Sequence, residues 1–219
     1  MTTESTYLNQ TRLAYDTVAT DYAKIVVSLF DDDRYGHAMM GVFAELTRGS
    51  EAGPVADLGC GPGHVTAYLH SLGVSAFGVD LSPETVAVAR DRHPDLRFEV
   101  GSMTALDLPD GSLGGVVAWY STVHTPPEVL PTLFAEFHRV LAPGGHLLTG
   151  FKAGDRIRHL DHGYGHDISL DVYWVSPERV EEQLIRAGFT MDARLIREPT
   201  DQERPTQGQQ AYLLARKPV

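Results

Sequence analysis

The stretch Pro54-Val55-Ala56-Asp57-Leu58-Gly59-Cys60-Gly61-Pro62-Gly63-His64-Val65-Thr66 runs from a short apolar segment ending in an acid, through three glycines in five residues, into a segment of helical periodicity. That order predicts a buried strand, a tight turn and the start of a helix. Glycines at such a turn let main-chain N–H groups approach a ligand without an intervening Cβ. The N-terminus of the following helix adds unpaired donors and a partial positive charge. A ligand carrying a carboxylate, with its amine toward Asp57, suits this turn. A second apolar strand, Ala76-Phe77-Gly78-Val79-Asp80, ends in another acid. An acid about twenty residues beyond the glycine turn is placed to accept hydrogen bonds from ribose hydroxyls. Together the two features predict a nucleoside-binding strand–turn–helix–strand unit. The Gly-x-Gly-x-x-Gly fingerprint of hydride enzymes is not met, because His64 stands where its last glycine belongs.

Asp57-Leu58-Gly59-Cys60-Gly61-Pro62-Gly63 followed by Gly78-Val79-Asp80-Leu81-Ser82 resembles the class I S-adenosylmethionine-dependent methyltransferases, and most of all their bacterial small-molecule branch. The resemblance runs as an ordered series of motifs over roughly residues 10 to 195. It implies a single Rossmann-like α/β domain over 1–219. The expected sheet is doubly wound, of about seven strands, mostly parallel with an antiparallel C-terminal strand. N-terminal capping helices are expected over 1–50. It implies S-adenosyl-L-methionine as cofactor and says little about the acceptor.

Size and charge narrow the partners. A chain of 219 residues suffices for one sizeable α/β domain and falls short of two ordinary ones. With 18 basic against 29 acidic residues the net charge is −11, a field that repels phosphate backbones and acidic membrane surfaces. The expected partner is a small-molecule acceptor, with no nucleic acid and no membrane; pairing into a homodimer stays open. Met1–Thr6 shows neither a basic nor an apolar leader pattern, and the single cysteine, Cys60, has no internal disulfide partner, so a reducing, cytoplasmic setting is expected.

Along the chain, residues 8–29 carry helical periodicity, with Tyr15 and Tyr22 seven apart on one face. A second helix is expected from Asp31-Asp32-Asp33 to about Thr47. From Pro54 on, strands and helices alternate as in a parallel sheet. The expected strands are 96–100, 115–119 and 146–151, with a helix from Pro127 to Leu141 before the last of these. Residues 152–175 hold glycines, aromatics and histidines without clear period, and read as an acceptor-side insertion loop at a strand's carboxyl end. A helix capped by Ser176-Pro177-Glu178 and two last strands, 190–197 and 211–216, complete the chain, joined by a long polar mobile loop over 198–210.

The resemblance assigns the methionine end of the cofactor to the turn residues Asp57, Gly59, Cys60, Gly61 and Gly63, and the ribose to Asp80. Leu81 and Met103 would sandwich the adenine. Ser102 stands where many relatives have an acid, so backbone groups at Ser102 and Met103 would serve the adenine amine. Tyr15 and Tyr22 would cap the cofactor and line the acceptor pocket, with Trp119 and Tyr120 beside them at the end of the fourth strand. Cys60 is otherwise a small side chain at a crowded turn. The Asn/Asp-Pro-Pro-Tyr/Phe turn of enzymes that methylate DNA bases or glutamine amides is missing after that strand. His124 is the first candidate for a base that takes a proton from the acceptor, and His162 or His166 the next. No metal is expected: the His159-x-x-His162-x-x-x-His166 run sits among loosening glycines. O-methylation is favoured over N-methylation. A lyase or cyclase that uses the bound sulfonium without methyl transfer, and a non-catalytic nucleotide-binding module, stay open as alternatives.

Overall fold

The computed structural model describes residues 3–49, 52–201, 203 and 207–219. Two helices lead, α1 (Thr3–Asp31) and α2 (Arg34–Thr47), and strands and helices then alternate: β1 (Val55–Leu58), α3 (His64–Ser71), β2 (Ala76–Asp80), α4 (Pro83–Arg92), β3 (Phe98–Val100), β4 (Leu113–Trp119). A 3₁₀ turn (Thr122–His124), α5 (Leu130–Val140) and β5 (Leu141–Lys152) follow. The chain then forms β6 (Arg156–Gly163), β7 (His166–Trp174), α6 (Pro177–Arg186), β8 (Thr190–Arg197) and β9 (Gln210–Arg216).

Seven strands form one sheet in the order β3-β2-β1-β4-β5-β9-β8. The first five are parallel, and β9 enters antiparallel between β5 and β8. Every residue of β1 and β4 is buried, as expected of central parallel strands covered on both faces. On one face Leu133, Phe134 and Phe137 of α5 pack with Val180 and Leu184 of α6; on the other Met40 and Phe43 of α2 pack with Val65 and Leu69 of α3. Ser82 caps α4 by accepting from the Thr85 N–H at 3.1 Å, with Pro83 in the first turn. The sheet order reverses between β1 and β4, which opens a crevice at their carboxyl ends.

Two departures from the sequence reading bear on function. The 152–175 stretch is not a loop but an antiparallel hairpin, β6 against β7, with register from Arg156↔Trp174 to Gly163↔His166. Tyr164 and Gly165 turn it, both at positive φ (55° and 86°), which matches a two-residue type I′ loop. Leu170, Val172 and Trp174 are buried while Ser169, Asp171 and Tyr173 between them are not, so β7 has the period of a half-buried strand. The polar partner β6, mostly exposed, hides that period in the sequence. After β4 the chain makes the 3₁₀ turn before α5 begins at Leu130, three residues later than the proline at 127 suggests. In the expected 198–210 loop, residues 202 and 204–206 lie outside the described residues; what is described is tied down by Arg197, whose guanidinium donates to both Glu203 carboxylate oxygens at 2.8 Å.

Gly63 caps α3 at φ +81°, and a Cβ there would lie 2.6 Å from the Phe98 ring. Both the left-handed conformation and the contact exclude a side chain. Gly63→Ala is therefore expected to destabilise the protein by about 2–4 kcal/mol, read from urea denaturation midpoints.

Candidate active site

A cavity enclosing about 630 Å³ of empty space, its open mouth included, lies at the carboxyl ends of β1, β2 and β4, with α1 laid across it. Gly59 and Gly61 form its floor. A Cβ on Gly59 would come 2.3 Å from the Ser121 Cβ, so the turn and the end of β4 approach as closely as they do only with glycine there. Asp80, at the end of β2, accepts from the Gly61 N–H through Oδ2 and from the Ser82 N–H through Oδ1, both at 2.9 Å. Each carboxylate oxygen has a second lone pair left for a ligand hydroxyl. Burial pushes the Asp80 pKa up, against the pull of those N–H groups. Leu81 and Met103 both line the cavity.

Other residues expected at the cofactor serve the turn from behind. Asp57 is buried, accepts from the Thr66 hydroxyl at 2.6 Å through Oδ2, and leaves Oδ1 without a partner. Burial raises its pKa to about 7. Cys60 turns its thiol into the core against Gly78, where burial pushes its pKa up, and Gly63 faces Phe98. The Ser102 hydroxyl is 2.9 Å from that of Thr104 and outside the cavity lining.

At the other end of the cavity an aromatic wall forms. Tyr15 and Tyr22 meet edge to face at 5.1 Å, and Tyr22 meets Tyr164 of the β6–β7 turn at 5.2 Å. Trp119 stacks on Tyr212 at 5.0 Å, and Tyr120 holds a positive φ of 53° with its hydroxyl 3.2 Å from that of Tyr212. A tyrosine in that region is strained, and such strain gathers at functional sites. His124 lies between Tyr15 Oη, 2.9 Å from Nε2, and the Asp171 carbonyl oxygen, 2.8 Å from Nδ1. Burial lowers its pKa to about 4, more than the Asp171 carbonyl raises it.

The other two candidate bases stand elsewhere. His162 is exposed, with Nδ1 3.0 Å from Asp167, and Nε2 of His166 lies 2.9 Å from the Asp21 carboxylate on α1. Neither lines the cavity. The hairpin register sends these side chains to its rim, a placement the sequence spacing alone does not show. Sequence reading missed Leu8, Thr11 and Arg12, which line the cavity from the first turns of α1, and also Ser121 and Thr125. For Leu8, Thr11 and Arg12 the signal was the helical face shared with Tyr15, at spacings of seven, four and three. Among the described residues no cluster of three or more metal-ligating side chains occurs, and no helix is long and apolar enough to cross a membrane.

Residues 55–145, which hold the glycine turn, Asp80 and His124, match the family described as "Methyltransferase domain". Over that stretch the chain is similar to the methyltransferases. Its sheet and helices superpose on magnesium protoporphyrin IX methyltransferase from Synechocystis, solved with bound S-adenosylmethionine, with a TM-score of 0.70 at 18% identity over 96% of this chain and 97% of that one. Trans-aconitate 2-methyltransferase from Rhizobium meliloti is 39% identical over 102 residues, 44% of this chain and 37% of that protein. Demethylmenaquinone methyltransferase from Chlorobaculum parvum is 30% identical over 137 residues, 61% and 56% of the two chains. The chain thus spans between about a third and a little over half the length of these curated relatives.

The cofactor of this methyltransferase fold is S-adenosylmethionine, and the site suits it. Ser121 Oγ, packed against Gly59, is buried without a hydrogen-bond partner, an acceptor fit for an ammonium group. Asp80 offers acceptors for hydroxyls, and Leu81 and Met103 offer apolar faces for a flat base.

The raised pKa of Asp57 has a consequence for stability. The folded state holds its proton up to about pH 7, whereas an unfolded aspartate releases it near 3.8. Its contribution is therefore full below pH 3.8 and lost as pH rises through 7. Asp57→Asn, which does not titrate, is expected to gain on the wild type by roughly 2–4 kcal/mol between pH 4 and pH 8 in urea denaturation. The contributions of His64 and His124, both lowered to about 4 by burial, have the opposite sign and cancel in that comparison.

Proposed function

We propose that this methyltransferase moves a methyl group from S-adenosylmethionine to a small-molecule acceptor, with oxygen as the atom methylated. One observation carries the choice of oxygen: a neutral imidazole, His124, is held in the wall of the cavity by the Asp171 carbonyl. An O–H acceptor must lose a proton as it attacks, and a positioned base serves that need; an amine can lose its proton to solvent. The bound sulfonium supplies an electrophilic methyl group. The chain's part is to bind, align and keep water out. Asp80 would hold the ribose, the Gly59–Gly61 turn the methionine end, and Tyr15 and Tyr22 would close the cavity from α1.

Support for a small acceptor comes from relatives named for small-molecule acceptors. The charge of −11 disfavours a nucleic-acid substrate. A cytoplasmic setting fits a chain whose single thiol is buried.

Methyl-labelled S-adenosylmethionine incubated with the protein and a metabolite extract should pass label to a small product. Acceptor conversion without label would favour a lyase or cyclase, and tight cofactor binding without turnover a nucleotide-binding module. Asp80→Ala should weaken cofactor binding at least about tenfold in calorimetry, since charge-assisted hydrogen bonds contribute roughly 1.5–3 kcal/mol. An unchanged dissociation constant, with a normal thermal unfolding curve, removes Asp80 from the site.

A further inference from the structure

The lone pair that a base would use is already taken. Tyr15 Oη lies 2.9 Å from His124 Nε2, and among the described residues the partner of Nδ1 is the Asp171 carbonyl oxygen at 2.8 Å. A carbonyl oxygen accepts and never donates, so the ring proton sits on Nδ1 and Nε2 accepts from the Tyr15 hydroxyl. Tyr15 lines the cavity beside His124; its oxygen also shares a hydrogen bond with Tyr22, and of its two lone pairs one is left for the acceptor. The three members come from α1, the 3₁₀ turn and β7, with 109 positions from Tyr15 to His124 and 47 from His124 to Asp171.

We infer that Tyr15 and His124 form a proton relay in which Tyr15, not His124, touches the acceptor, and that the acceptor group is an uncharged hydroxyl, phenol or enol. This rests on the methyl-transfer reading. As the acceptor oxygen takes up the methyl carbon, the C–S bond breaks with its electron pair left on sulfur. The acceptor's proton passes to Tyr15 Oη and Tyr15's own proton to His124 Nε2. The imidazolium so formed replaces the sulfonium as the site's single positive charge, and no net charge is created in a buried cavity, where an uncompensated one is costly.

The surroundings fit a relay that begins with both groups neutral. Burial keeps the Tyr15 phenol protonated and the His124 ring uncharged. Lys152 disfavours the imidazolium and Asp171 favours it, and the Asp171 carboxylate is itself fixed by His159 Nδ1 at 2.7 Å. Two facts narrow the acceptor. A carboxylate has no proton to surrender at neutral pH, so it needs no relay. Arg12, a cation on the cavity wall, is paired with the Asp16 carboxylate at 3.0 Å and bonded to Asn9 at 3.1 Å, which weakens the positive field a polyanionic acceptor would meet.

The test has two arms. In the first, nitrogen NMR of the ¹⁵N-histidine-labelled full chain should show His124 protonated on Nδ1, with an Nε2 resonance that moves in Tyr15→Phe while Nδ1–H stays. A proton on Nε2, or no response to Tyr15→Phe, overturns the relay. In the second, methyl-labelled cofactor is offered with simple phenols, with the matching benzoates and with metabolite extract. Tyr15→Phe and His124→Gln should each slow transfer to hydroxyl acceptors about a hundredfold, with the double variant no slower than either, because the two act as one unit. Cofactor affinity should stay within about twofold, since Tyr15→Phe keeps the ring that packs on Tyr22. Wild-type transfer that Tyr15→Phe leaves unchanged, or losses that multiply in the double variant, overturns the relay alone. Absence of transfer by the wild type sinks the methyl-transfer reading, and the relay with it.

Discussion

One half-buried carboxylate joins the parts of the site. Asp80 receives the N–H of Gly61 on one oxygen and that of Ser82 on the other, so the glycine turn and the start of α4 are fixed to the same group. Ser82 then donates its hydroxyl to Asp16 of α1 at 2.7 Å, and Asp16 pairs with Arg12 at the cavity wall. Through this chain of polar contacts the end of β2 sets where the first helix lies. Burying such a carboxylate is tolerable only because two N–H groups compensate it.

The hairpin over 156–174 plays a comparable part at the far end. It is a separate two-stranded sheet, yet its β7 backbone supplies the carbonyl that fixes His124, and its turn lays Tyr164 on Tyr22. His166 adds a contact to Asp21 of α1. Helix and hairpin thus close on each other over the glycine turn. Fold and chemistry separate here: the sheet is shared with many methyltransferases, whereas the α1 residues that line the far end of the cavity beside His124, Tyr15 and Tyr22 among them, lie outside the 55–145 match.

What the amino-acid sequence determined by itself was local. A buried apolar run, glycines needing open backbone space and an acid at the end of the next strand are set by residue type and short spacing, so the doubly wound sheet, Gly59, Asp80 and the Ser82 cap were all legible. Leu170, Val172 and Trp174 alternated in plain view, but the polar β6 gave no matching period, and so the hairpin read as a loop. Tertiary structure alone decided which histidine meets the cavity. Three histidines crowd residues 159–166, yet the hairpin's pairing turns them to its rim, and His124 gains its place because α1 and β7, far off in the chain, converge on it. The physical reason is that a proton path needs donor and acceptor within about 3 Å, a distance that local propensity does not encode and that only packing of remote segments can set.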